Sequence, residues 1–165
     1  MKPHFIALAA AAVVVAGAAG AHDRDALASF SGGIGADPVA GIANGVPVLN
    51  TVLGVAPGGR AWVIRKLRAS VEDNGKISVK GSGLLLAGGD GIGTRATVTQ
   101  VFATLFCSGV GFNSPVADLD TQGNFSIRGV LSAMPPSPCQ APVLLIRNAA
   151  GTQAWFAAGI PGDDD

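Results

Sequence analysis

The stretch Trp62–Leu86 (WVIRKLRASVEDNGKISVKGSGLLL) decides the fold class. Two runs of alternating apolar and polar residues flank Asp73-Asn74-Gly75, the pattern of a β-hairpin. Leu67, Ala69, Val71, Ile77 and Val79 share one face, and Arg68, Ser70, Glu72, Lys76, Ser78 and Lys80 share the other. A two-residue Asn-Gly loop would set Val71 against Ser78 and mix the faces. A three-residue loop sets Val71 against Ile77 and Glu72 against Lys76, and gives Gly75 the left-handed position such loops need. The face pattern predicts this second register.

Upstream, the alternation changes phase. Trp62 and Ile64 lie on even positions, whereas Leu67, Ala69 and Val71 lie on odd ones. A bulge near Arg65-Lys66 is the expected device for such a switch. Downstream, Ala117–Gly129 (ADLDTQGNFSIRG) lies on Ala69–Gly81 (ASVEDNGKISVKG), with Ala, Gly, Ser and Gly coincident at 69/117, 75/123, 78/126 and 81/129. A second hairpin is therefore expected there.

The remaining chain reads as short strands and turns. Phe30–Ile34, Val48–Leu53, Arg95–Cys107, Val143–Arg147 and Ala154–Gly159 are strand candidates. Residues 37–47 (DPVAGIANGVP) and 108–115 read as loops, and the proline-dense 134–142 (MPPSPCQAP) as an extended segment outside the sheets. Ala87–Thr94 (AGGDGIGT) is glycine-rich, but no helix pattern follows it and neither phosphate-loop template fits, so it reads as a connection. The fold class is all-β: an antiparallel β-sandwich or small β-barrel of about eight or nine strands.

An apolar run from Phe5 to Ala16 followed by Ala19-Gly20-Ala21 predicts a signal peptide over 1–21. Residues 22–165 then form a single domain, secreted or periplasmic, with no integral membrane span after cleavage and a solvated acidic tail at Asp163–Asp165. In that compartment Cys107 and Cys139 form one disulfide most simply, closing a loop of about 32 residues. Such a loop is worth roughly 3 to 4 kcal/mol in the chain-entropy account. The alternative, two reduced thiols, lacks any CxxC spacing.

The run Gly54–Ile64 (GVAPGGRAWVI), the hairpin, the two cysteines and Trp155-Phe-Ala-Ala158 resemble a pattern in small exported bacterial proteins of unknown function. The resemblance implies export and a β fold, and it carries no site.

No catalytic constellation stands out. His22, N-terminal after cleavage, is a copper-handling candidate, but no second His remains for a histidine brace or a His-based triad. Glu72/Asp73 and Asp118/Asp120 are the carboxylate pairs a secreted enzyme of unrecognised class would use, and both sit beside predicted turns. No metal or cofactor is implied. Arg60, Arg65, Lys66, Arg68, Lys76 and Lys80 form the one local charge concentration. Arg65, Arg68, Lys76 and Lys80 are the candidate binding residues for an anionic envelope component or another protein; Trp62 joins them as a stacking ring, although it reads first, like Trp155, as a core residue. Nucleic acid is not expected, because removing Lys2 leaves ten Lys/Arg against eleven Asp/Glu. The chain reads as a non-enzymatic structural or binding module.

Overall fold

A computed structural model describes residues 26–162 as thirteen strands and no helix. The strands are β1 (Ala26–Gly35), β2 (Val39–Ala43), β3 (Val46–Leu49), β4 (Trp62–Val63), β5 (Lys66–Glu72), β6 (Lys76–Ser82) and β7 (Leu85–Leu86). They continue as β8 (Gln100–Cys107), β9 (Val110–Asn113), β10 (Ala117–Asp118), β11 (Phe125–Val130), β12 (Val143–Asn148) and β13 (Trp155–Pro161). The expected signal peptide, His22 and Asp163–Asp165 lie outside the described residues. No helix among the described residues is long and apolar enough to cross a membrane.

β5 and β6 pair in the predicted register, with Val71 opposite Ile77 and Ala69 opposite Val79. Gly75 takes φ 78°, a conformation that costs a residue with a Cβ roughly 1 kcal/mol or more. Asn74 braces the turn: its Oδ1 accepts from the Lys76 amide at 2.8 Å and its Nδ2 donates to Glu72 Oε2 at 3.0 Å.

Nine strands form one antiparallel sheet in the order β10-β8-β12-β13-β1-β5-β6-β11, with β9 and β10 successive along the same edge of β8. The sheet curls into a half-barrel. Its two ends meet where the Ser132 amide donates to the Asn113 carbonyl at 2.8 Å and the Asn113 amide donates to Ser132 Oγ at 3.1 Å. Leu67, Val71, Val79, Leu105, Ile127 and Leu144 fill the concave side. β8 and β12 are buried on both faces, whereas β5 and β6 alternate buried and exposed.

Three local expectations are corrected. The phase break at 64–65 is not a bulge. β4 pairs with β7 (Trp62 opposite Leu86), and the offset equals that of Lys66 opposite Ser82, so no extra residue enters either arm. Both arms break together at Ile64-Arg65 and Gly83-Leu84, which preserves register while the far end turns into a separate two-stranded sheet. Residues 37–47 are not a loop, and the strand expected over Val48–Leu53 starts earlier and stops at Leu49. β2 and β3 form an exposed ribbon around Asn44 (φ 51°) and Gly45 (φ 77°), the left-handed pair that closes a tight hairpin. Residues 108–115 contain β9, returned along β8 after a left-handed Ser108-Gly109 turn, and β8 itself starts at Gln100 rather than Arg95.

The Cys107–Cys139 disulfide is present and fastens the proline-dense segment to the end of β8. The Gly54–Ile64 run and the Trp155 strand pack together. Trp62 stacks on Phe156 at 4.1 Å, the Gly58 amide donates to the Trp155 carbonyl at 2.9 Å, and Trp155 Nε1 donates to the Asn50 carbonyl at 2.9 Å.

Candidate functional site

The convex face of β1, β5, β6 and β11 is the polar side of the alternation that decided the fold. Register fixes its rows. Ser31, Arg68, Lys80 and Ser126 lie side by side across the four strands. Ser29, Ser70, Ser78 and Arg128 form the next row, Glu72, Lys76 and Val130 the row beyond, and Lys66 with Ser82 the row on the opposite side.

Arg68 and Lys80 are therefore directly opposed like charges, an arrangement that costs a sheet a few tenths of a kcal/mol. Among the described residues none of Arg65, Lys66, Arg68, Lys76, Lys80 and Arg128 is ion-paired. Glu72 and Lys76 make no ion pair, and the Glu72 carboxylate accepts from Asn74 instead.

Three shallow depressions merge along this face. One of about 490 Å³ is lined by Ser31, Arg65, Lys66, Arg68, Lys80 and Ser82. Another of about 310 Å³ holds Ser70, Glu72, Lys76, Ser78 and Arg128. A third, also about 310 Å³, shares Ser31, Arg68 and Lys80 with the first and Ser70 and Ser78 with the second. They form one open trough.

Four of the five candidate binding residues thus come together: Arg65, Arg68, Lys76 and Lys80. Trp62 does not join them. It is only 5 % exposed, with its ring on Phe156 beneath the Gly58 turn, because the coordinated break of both hairpin arms carries it away from the convex face. Arg60 also stands apart, beside Gly91. Sequence reasoning missed Arg128, although the alignment of the two hairpins places it on Lys80 and so marks it as an outward cation.

Arg147 is a cation of another kind. Half-buried, it donates to the Gln153 carbonyl at 2.8 Å and lies 5.1 Å from the Phe102 ring, and desolvation lowers its pKa. It serves the fold rather than a ligand. Of the candidate carboxylates, Asp120 braces a turn and Asp118 bonds across to the next strand. Asp120 accepts from the Gln122 and Asn124 amides, each at 2.8 Å, and Asp118 accepts from Gln100 Nε2 at 3.0 Å. Among the described residues no group of three His, Cys, Asp or Glu could hold a metal ion.

No protein-family model matches the chain, and no curated protein or solved structure matches it either. The likeness to small exported bacterial proteins rests on the quoted motifs alone, and those motifs are packing elements.

Proposed function

We propose that the protein is an exported, non-enzymatic binding module that engages an anionic partner through the convex face of β1, β5, β6 and β11. The observation that carries this reading is the opposed Arg68–Lys80 pair in an open trough, unneutralised among the described residues. A cross-strand pair chosen for stability would carry opposite charges or β-branched residues. An unpaired cationic row surrounded by hydroxyls is instead a surface prepared for anions. Export is supported by the signal pattern over 1–21 and by the disulfide, which persists in an oxidising compartment.

The test is retention of the purified mature protein on immobilised heparin at low salt. The Arg68→Ser/Lys80→Ser double variant is expected to elute with the unbound fraction while its melting temperature does not fall. Unchanged retention of the double variant would remove the trough as the binding surface.

A further inference from the structure

We infer that the trough takes a single linear acidic polysaccharide lying parallel to β5 and β6, with a footprint of four successive levels of the pleat. This inference rests on the anion-binding reading above and adds an axis, a length and a ligand class to it.

The axis follows from register. The level of Lys66 and Ser82 is followed by that of Arg68 and Lys80, then by Ser70, Ser78 and Arg128, then by Glu72 and Lys76. Every level therefore presents at least one cation. Outward-facing residues on a strand repeat every two positions, so the levels are roughly 6.8 Å apart and the track is about 20 Å long. Across the strands the cations occupy β5, β6 and β11 alone. Three neighbouring strands span only about 10 Å, so the charged strip is twice as long as it is wide. The merged depressions run the same way, from Lys66 at one end to Lys76 at the other.

The ligand class follows from what lies between the cations. Ser31, Ser70, Ser78, Ser82 and Ser126 alternate with them. A serine hydroxyl donates one hydrogen bond and accepts two, which suits a polymer dense in hydroxyls of its own. A single-stranded nucleic acid would call for exposed rings on which bases stack. Every Trp and Phe among the described residues is buried, so the face offers none. An acidic peptide adding a strand would use a sheet edge, whereas β1, β5 and β6 are interior strands and β11, the edge strand of this face, carries only Arg128 of the cations.

The inference is tested by calorimetric titration of the full mature chain with three size-defined series. These are heparin-derived oligosaccharides from the disaccharide upward, neutral dextran oligomers of the same lengths, and linear inorganic polyphosphates. Affinity for the heparin series is expected to climb on the order of a hundredfold until the oligomer spans about 20 Å, then level off. Lys66→Ser and Lys76→Ser, at the two ends of the track, should each weaken binding of the longest oligomers several-fold and leave the shortest unaffected. Dextran should not bind.

A flat length series with intact heparin binding would overturn the linear track and leave the anion-binding reading standing. Polyphosphate bound as tightly as the matched glycan would overturn the carbohydrate class. Failure of every polyanion would remove this inference and the underlying reading together.

Discussion

In the hairpins at 66–82 and 117–130 a glycine amide closes the turn onto the acidic residue three positions earlier: Gly75 onto Glu72 at 2.9 Å and Gly123 onto Asp120 at 3.1 Å. Both glycines are left-handed, at φ 78° and 77°. Beyond the turn the two part company. The arms of the first bond to each other over six residue pairs. Those of the second separate after the Asp120 amide reaches the Asn124 carbonyl, β10 joining β8 and β11 joining β6.

Neighbouring residues show why. Gly81 leaves room for the Phe125 ring from the adjacent strand, and its counterpart Gly129 leaves room for Pro115. The first hairpin is a sheet interior, and the second is the seam where a curled sheet returns to itself. A turn is coded by its own few residues, whereas arm pairing is decided by which sheet edges stand open.

Removing core volume should ignore this difference. Ile127→Ala in the second hairpin and Val79→Ala in the first both empty the same core, and each is expected to cost about 3 kcal/mol in denaturant unfolding. A negligible loss for Ile127→Ala would show that the seam does not belong to the core. The turn glycines should separate the two regions. A Cβ on Gly123 would lie 2.5 Å from the Leu84 nitrogen and 2.6 Å from its carbonyl oxygen, whereas one on Gly75 meets nothing closer than 3.7 Å. Gly123→Ala should cost about 3 kcal/mol and Gly75→Ala about 1 kcal/mol. Equal losses would break the contrast.

Acid should separate them again. The Asn124 amide and then its side chain hold the Asp120 pKa below its ordinary value of 3.8 against an opposing desolvation, with lesser help from the Gln122 amide and Arg95. A carboxylate lowered in the folded state stabilises fully above its ordinary value and loses that contribution as pH falls through the folded value. The stability gap between the wild type and Asp120→Asn should therefore close on acidification below pH 3.8. The Gly75→Ala change in the first turn touches no carboxylate, so its gap should stay constant over the same range. The smallest effect concerns the opposed cations. Lys80→Ser should raise stability by roughly 0.3 kcal/mol by removing the repulsion from Arg68, and a measured loss would mean that the face is neutralised in the free protein.

The first hairpin was legible because its alternation is unbroken and its turn is local. Its polar face, and with it most of the candidate site, followed directly. Arg128 was encoded only through comparison with Lys80. Trp62 sits in the core and off the polar face because alternation gives the face of a residue only while its strand stays in one sheet, and both arms leave the sheet at Ile64 and Gly83. The β2–β3 ribbon has no buried face, so it has no alternation to read, and its proline and glycines resemble those of a loop. The Asn44-Gly45 pair was its one local signal. Strand order was beyond reach, since β11 finds its partner β6 across about 40 intervening residues by geometry that no local pattern carries.

That ribbon has a consequence for how the protein behaves at high concentration. No charged residue occurs between Asp37 and Arg60, and Ile42, Val46 and Leu49 are more than 60 % exposed. Such an edge is a template for stacking one molecule on the next. With Ala43 and Val46 closing the two-residue turn, the next pair, Ile42 and Pro47, directs its backbone nitrogens outward. Proline has no hydrogen to offer there, so the β3 edge lacks a donor at the middle of its apolar run. Replacing Pro47 with valine would return the donor and lengthen the adhesive strip, which should promote precipitation of the protein with itself.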